Sequence, residues 1–97
     1  MKGPVMRAET AEAFALTALG WLISDEDLLG TFMGSTGCDA EALRQGAANP
    51  EFLASVLDFL SMDDAWVLRC SEATGLAPED FLVARHALPG GAQTQWT

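Results

Sequence analysis

Two short stretches, STGCDAE at residues 35–41 and ATGLAPE at residues 73–79, stand 38 positions apart in the chain. Each stretch contains a Thr-Gly pair, and each places a glutamate four positions after its glycine. Glycine commonly takes the left-handed conformation that ends a helix, and acidic residues favour the first turn of a helix. Both stretches are therefore predicted to join the end of one helix to the start of the next.

Around these joints the apolar residues recur at the three- and four-residue spacing of amphipathic helices. In the first half, a helix is predicted over residues 9–23, a second is opened by the acids of residues 25–27, and a third is capped by Asp39. Three further helix starts are predicted at Asn49-Pro50, Asp63-Asp64 and residues 77–80. The sequence thus predicts an all-α fold, a compact bundle of about six short helices.

The two halves of the chain align without a gap when the sequence is shifted by 38 positions. The matched pairs include Phe14 with Phe52, Leu19 with Leu57, Leu22 with Leu60, Asp25 with Asp63, Trp21 with Phe59, and Thr36-Gly37 with Thr74-Gly75. We interpret this match as two three-helix repeats, residues 13–50 and 51–88, related by pseudo-twofold symmetry. Convergence on common helix start and stop signals is the alternative. In the symmetric arrangement, Trp21 and Phe59 are predicted to pack in the core near the axis.

The length and charge of the chain limit what it can be. Its 97 residues suffice for one domain with a single core, which we place at residues 9–91, with flexible termini at 1–8 and 92–97. Fourteen acidic and five basic residues give a formal charge of −9, which repels nucleic-acid phosphates and anionic lipids. The longest uncharged apolar run, residues 13–24, is shorter than the roughly 20 residues of a membrane span. A cytoplasmic protein with neither nucleic acid nor membrane as a direct partner is predicted.

The residue types that usually carry chemistry are few and scattered. Cys38 and Cys70 have no cysteine or histidine at a metal-ligand spacing, so no metal, cofactor or redox pair is predicted. The only histidine, His86, falls near the end of the sixth helix, where a cation favours the helix dipole. We therefore predict no catalytic residue and interpret the chain as not an enzyme. A small enzyme or ligand-binding protein that uses His86 with Cys70 or an acid is kept as an alternative.

Each predicted repeat could also resemble a three-helix DNA-binding unit. Its third helices would carry only Arg44 and Arg85, each accompanied by acids, whereas contact with phosphates requires a cluster of basic residues. A transcription-associated regulator, whose partner supplies the basic surface, therefore remains an alternative.

The leading hypothesis is a non-enzymatic helical module that binds another protein or a second copy of itself. Leu16, Ile23 and Met62 lie at or near the ends of the apolar stripes, where a small domain leaves some apolar side chains at the surface. Trp66 suits either the core or a partner site, and Trp96 stands in a polar tail where an aromatic ring can anchor a partner. Because the chain is acidic, a basic protein or basic segment is the favoured partner.

Several of these residues also resemble a known family. ALGWL at residues 18–22 followed by Asp25, then LDFL at 57–60, GLAP at 75–78 and LPGG at 88–91, are similar to the small bacterial domain-of-unknown-function family numbered 3572. The resemblance implies an all-helical bacterial protein of about this length. It implies no activity, cofactor or catalytic residue. Apart from Asp25 and Asp58, its residues are apolar, glycine or proline and concern packing and turns.

Overall fold

The computed structural model describes residues 6–89, and this part of the chain contains helices and no strand. Its six helices are α1 (Ala8–Ser24), α2 (Glu26–Thr36), α3 (Ala40–Gly46), α4 (Pro50–Leu60), α5 (Asp64–Thr74) and α6 (Asp80–His86). The predicted all-α bundle of six short helices is confirmed.

Most of the helices begin at a side chain that accepts a hydrogen bond from the first turn. Four helices, α2 to α5, have such a cap, and the capping residues are Asp25, Asp39, Asn49 and Asp63. Each cap satisfies one of the backbone amides that a helix start leaves without a partner. Helix α6 differs, because Glu79 at its N-cap makes no such bond and the helix begins at Asp80. The predicted role of the acids as helix-start residues is confirmed.

The two joints have the same local structure. Gly37 and Gly75 adopt left-handed φ angles of 76° and 83°, which glycine reaches without steric cost. Before each glycine, Thr36 or Thr74 donates its hydroxyl to the carbonyl four residues earlier, at 2.8 and 2.7 Å. The same hydroxyls accept a hydrogen bond from the backbone amide two residues later, at 3.3 and 3.2 Å. The predicted helix-ending glycine is therefore confirmed at both joints, and the threonine hydrogen bonds are a further feature that the two joints share.

The packing of the two halves is less alike than their joints. Helices α2 and α5 have equal lengths, as do α3 and α6, but α1 has 17 residues and α4 has 11. Helix α6 packs closely against both α1 and α4, whereas among the described residues α3 packs closely against α4 alone. The two halves thus share the structure of their joints but differ in how their helices pack. The repeat and its pseudo-twofold symmetry stay a prediction.

The core forms around α1 and α4, which pack against each other. Helix α1 also packs against α2, α5 and α6, and α4 against α3, α5 and α6. The largest fully buried side chains of the core are Phe32, Leu22, Leu57, Leu60, Val56 and Cys70. Phe14 of α1 meets Phe81 of α6 edge to face at 5.0 Å between ring centroids, and Phe32 of α2 meets Phe59 of α4 in the same way at 5.0 Å. Aromatic contacts therefore link both halves of the chain to one core.

The predicted placement of Trp21 and Phe59 in the core is correct for one of the two residues. Phe59 is buried, but it stacks on Trp66, with 4.8 Å between the ring centroids. Trp21 is half-buried at the edge of the core, and the guanidinium of Arg69 lies 5.8 Å from its ring centroid. At this edge the face of the indole attracts the cation, a contact that a ring in the centre of the core could not make with an exposed arginine.

The packed domain starts slightly earlier than the predicted limit at residue 9. Helix α1 begins at Ala8, and Met6 packs against the core, so the predicted flexible segment 1–8 does not extend through these two residues. The predicted C-terminal limit at residue 91 and the segment 92–97 lie outside the described residues. Within the described part of the chain, every helix is too short or too polar to cross a membrane.

Candidate functional site

Apolar side chains at the surface are the feature that the fold leaves unexplained. Five large ones are exposed among the described residues: Leu16 (46%), Ile23 (45%), Met62 (76%), Leu68 (54%) and Leu82 (53%). The first three are the residues predicted to lie at the edges of the apolar stripes, and their exposure is confirmed. Leu68 and Leu82 were not identified from the sequence as surface residues.

Leu68 and Leu82 lie together in a groove between α5 and α6. The groove has a volume of about 540 Å³. Its apolar wall is formed by Val67, Leu68, Phe81 and Leu82, and the acids that line it are Asp64 and Glu79. We call these six residues the α5/α6 groove. An apolar wall with charged residues beside it is typical of sites that bind a segment of another protein.

Helix periodicity explains why these two leucines face outward. On α5, Cys70 is fully buried, and Leu68 lies two positions before it, about 200° around the helix axis. On α6, Phe81 is buried, and Leu82 follows it directly, about 100° further around. The offset from the buried position was therefore the signal in the sequence. The offset identifies a surface position only once the buried residue of each helix is known, so the sequence alone did not reveal these two leucines.

The charges around the α5/α6 groove are acidic. Arg69 of α5 donates to Asp25 at 2.5 Å, and Arg85 of α6 forms an ion pair with Asp58 of α4. Both arginines are therefore engaged by carboxylates of other helices. The charges that line the groove are those of Asp64 and Glu79, which favour a cationic ligand.

Leu16 and Ile23 lie in a second groove, between α1 and α3. This groove has a volume of about 470 Å³, and its lining includes Leu16, Gly20, Ile23, Arg44 and Ala47. A Cβ atom added at Gly20 would have no neighbour within 4 Å outside the adjacent backbone of its own helix, so the space above this glycine is open. The groove therefore exposes the apolar side chains of Leu16 and Ile23 and, between them, the helix backbone at Gly20.

A smaller hollow of about 230 Å³ continues this surface toward the start of α1. It shares Leu16 and Ala47 with the groove and is lined by Glu9 and Glu12 at its far end. We call the combined surface the α1/α3 face, defined by Glu9, Glu12, Ala13, Leu16, Gly20, Ile23, Arg44 and Ala47. Charges of both signs lie beside this face, because Glu9 is 4.0 Å from the guanidinium of Arg7 and Arg44 is 3.2 Å from the carboxylate of Glu41.

The remaining candidate partner-binding residues do not join these surfaces. Met62 lies in the turn between α4 and α5 and lines neither of the two grooves. Trp66 is half-buried and stacks on Phe59, so most of its ring serves packing. Trp96 lies outside the described residues. The structure thus brings Leu16 and Ile23 together and leaves Met62 and Trp66 apart from them.

The residues proposed for the enzyme alternative have unlike environments. His86 is exposed in the last turn of α6, whereas Cys70 is fully buried in α5. Burial raises the pKa of the Cys70 thiol, and the hydrogen bond with Thr74 opposes this rise only in part. A thiol that is buried and protonated is a poor nucleophile. Among residues 6–89, no three His, Cys, Asp or Glu side chains are grouped as metal ligands.

These environments predict unequal thiol reactivity. With Ellman's reagent at mildly alkaline pH, we expect the half-buried Cys38 to react quickly and Cys70 to react only as the chain unfolds, because its thiolate is both scarce and inaccessible. Absorbance of the released thiolate follows the two phases. The Cys38→Ser variant should lose the fast phase alone, and a fast phase that survives in this variant contradicts the assignment.

The arginines proposed for the DNA-binding alternative are both paired within the protein. Arg44 lies 3.2 Å from Glu41 on α3, and Arg85 pairs with Asp58. Neither third helix therefore presents an arginine free of a neighbouring carboxylate.

Comparison with known proteins gives one family and no characterised relative. A family model described as "Protein of unknown function (DUF3572)" matches residues 8–91 of the chain. No curated protein and no solved structure matches the chain.

Proposed function

The chain belongs to the DUF3572 family, which is described only as of unknown function, and on that premise we propose that it is a helical protein-interaction module. Its proposed ligand is a short amphipathic segment of another protein that carries apolar side chains and lysine or arginine. The proposed site is the α5/α6 groove. We further propose that the module acts in the cytoplasm, and the two free cysteines support this location.

The observation that carries the proposal is the joint exposure of Leu68 and Leu82. Each leucine leaves more than half of its surface in water, and both line the same groove. Complete burial of a fully exposed leucine is worth roughly 1.5–3 kcal/mol, so a ligand that covers the exposed half of both side chains gains about that amount in total. The exposed half of each leucine adds no burial to the domain itself, which supports a role in binding.

The charge of the groove supports the choice of ligand. Asp64 and Glu79 line it, and the whole chain carries a formal charge of −9. The local acids and the total negative charge both accelerate the encounter with a basic segment, and both slow the encounter with an acidic segment. An amphipathic helix offers the matching pattern, since its apolar face fills a groove while its polar face carries the lysines at the rim.

A titration with a model peptide tests this proposal. The probe is a helical peptide of leucine and lysine, with the leucines on one face, added to the ¹⁵N-labelled protein and followed by NMR chemical shifts. We expect the largest shifts at the backbone amides around Leu68 and Leu82. We also expect affinity to fall as salt is raised from about 0.05 to 0.5 M, because salt screens charge pairs at the surface.

Matched variants separate the groove from general attraction to an acidic protein. Leu68→Gln with Leu82→Gln keeps the net charge and, because both side chains are exposed, should keep the fold; we expect the affinity to fall at least about tenfold. Leu16→Gln, in the groove between α1 and α3, is the control and should bind like the unmodified protein. Equal binding by all three proteins, or equal binding of a leucine–glutamate peptide, contradicts the proposal.

A further inference from the structure

We propose that the segment of residues 90–97 turns back and places Trp96 in the α5/α6 groove of the same chain, where the indole competes with the basic ligand. This inference rests on the proposed function, because it assigns a regulator to the same groove. It gives a role to Trp96, the aromatic residue that follows the described part of the chain.

The chain leaves the described structure on the groove side of α6. Backbone hydrogen bonds continue past the end of α6 as far as the amide of Leu88. Two helical turns hold about seven residues, so residues seven positions apart lie on the same side of a helix. Phe81 and Leu88 are both buried, as this spacing requires. Leu82 and Pro89 are both exposed, so Pro89 lies on the side of α6 that carries Leu82.

The segment is long enough to reach the groove. Leu82 lies seven positions before Pro89, roughly 10 Å along the helix axis. Trp96 lies seven positions after Pro89, and seven residues of extended chain span up to roughly 23 Å. The two residues after Pro89 are glycines, which readily adopt the backbone angles of a tight reversal. The segment can therefore turn back along α6 with enough length for Trp96 to enter the groove.

The chemistry of the indole suits the α5/α6 groove. Leu68 and Leu82 offer exposed apolar surface to the ring. Asp64 and Glu79 offer carboxylate acceptors to its single N–H donor. The segment carries no charged side chain, so these acids neither attract nor repel it. A ligand with lysine or arginine gains the charge attraction that the segment lacks, and it therefore displaces Trp96.

Attachment to the same chain makes a weak contact effective. A short linker presents its end to a nearby site at an effective concentration on the order of millimolar, so Trp96 occupies the groove although a free peptide of this sequence would bind poorly. The apparent dissociation constant of any other ligand then rises in inverse proportion to the fraction of open groove. The segment thus selects for ligands that combine apolar and basic side chains.

NMR spectra of the free, ¹⁵N-labelled full chain test the contact. Trp96→Ala should move the backbone amide signals of Leu68 and Leu82, and Leu68→Gln with Leu82→Gln should move the indole N–H signal of Trp96. Gln93→Ala changes the same segment away from the ring and should leave the groove signals in place. These results should not depend on protein concentration, because the contact lies within one chain.

Two results of this experiment would overturn the inference. The first is a set of groove signals that stays in place in Trp96→Ala. The second is a set of shifts that grows with protein concentration, which would assign the groove to the segment of another copy.

Titration with the leucine–lysine peptide separates this inference from the proposed function. Trp96→Ala should bind the peptide at least about threefold more tightly than the unmodified chain, because the fraction of open groove rises, and Gln93→Ala should bind like the unmodified chain. Equal affinity of Trp96→Ala and the unmodified chain refutes the competition and leaves the proposed function standing. Absence of peptide binding in every variant contradicts the proposed function, whereas the contact of Trp96 is judged from the spectra of the free chain.

Discussion

Leu57→Ala is expected to lower the free energy of unfolding by about 2–5 kcal/mol, a large share of the stability of so small a domain. Leu57 is fully buried on α4, a helix that contacts both halves of the chain. Removing most of its side chain loses apolar burial and leaves a cavity among neighbours that are held by several helices. Urea denaturation followed by circular dichroism measures the loss.

Leu68→Ala is the matched control for this substitution. It removes the same atoms from a side chain that is 54% exposed, so the free energy of unfolding should change by no more than about 0.5 kcal/mol. Similar losses in the two variants would contradict the assignment of Leu57 to the core and of Leu68 to the surface.

Gly46→Ala should destabilise the fold by about 1–3 kcal/mol, although alanine is the better helix former. A methyl group at Gly46 would lie 2.4 Å from the ring of Phe52, and that ring meets Phe32 edge to face at 5.9 Å. The ring cannot yield without disturbing its contact with Phe32. Thermal unfolding with and without the substitution measures the effect.

Gly30→Ala separates steric conflict from helix propensity. Gly30 lies within α2, and a methyl group there meets nothing within 4 Å, so this variant should gain roughly 0.5–1 kcal/mol. In a Phe52→Leu background, Gly46→Ala should lower the free energy of unfolding by less than it does in the unmodified protein. Equal effects of Gly46→Ala beside either side chain would refute the steric explanation.

Local signals in the sequence predicted the helices and their joints. Asp25 and Asp63 begin helices because a carboxylate can accept from the backbone amides of a helix start. Gly37 and Gly75 end helices because the required φ angle is positive. These effects depend on residues within one turn of each other, so the sequence expresses them directly.

Contacts between helices were harder to predict, because a helix stripe does not say which other helix covers it. The ring of Phe59 could meet Trp21 or Trp66, and only the assembled bundle selects Trp66. The groove at Leu68 and Leu82 likewise depends on how α5 and α6 lie together. Gly46 gave no sign of its close contact with Phe52 for the same reason.

Asp25 connects two regions that the sequence presents as separate. One carboxylate oxygen accepts from the backbone N–H of Leu28 at 3.1 Å and so starts α2, while the other accepts from Arg69 on α5, 44 positions away. Fraying of α2 therefore releases a restraint on α5, and displacement of α5 weakens the start of α2. This shared side chain links the opening of the two helices, so we expect the two halves to unfold together as one cooperative unit.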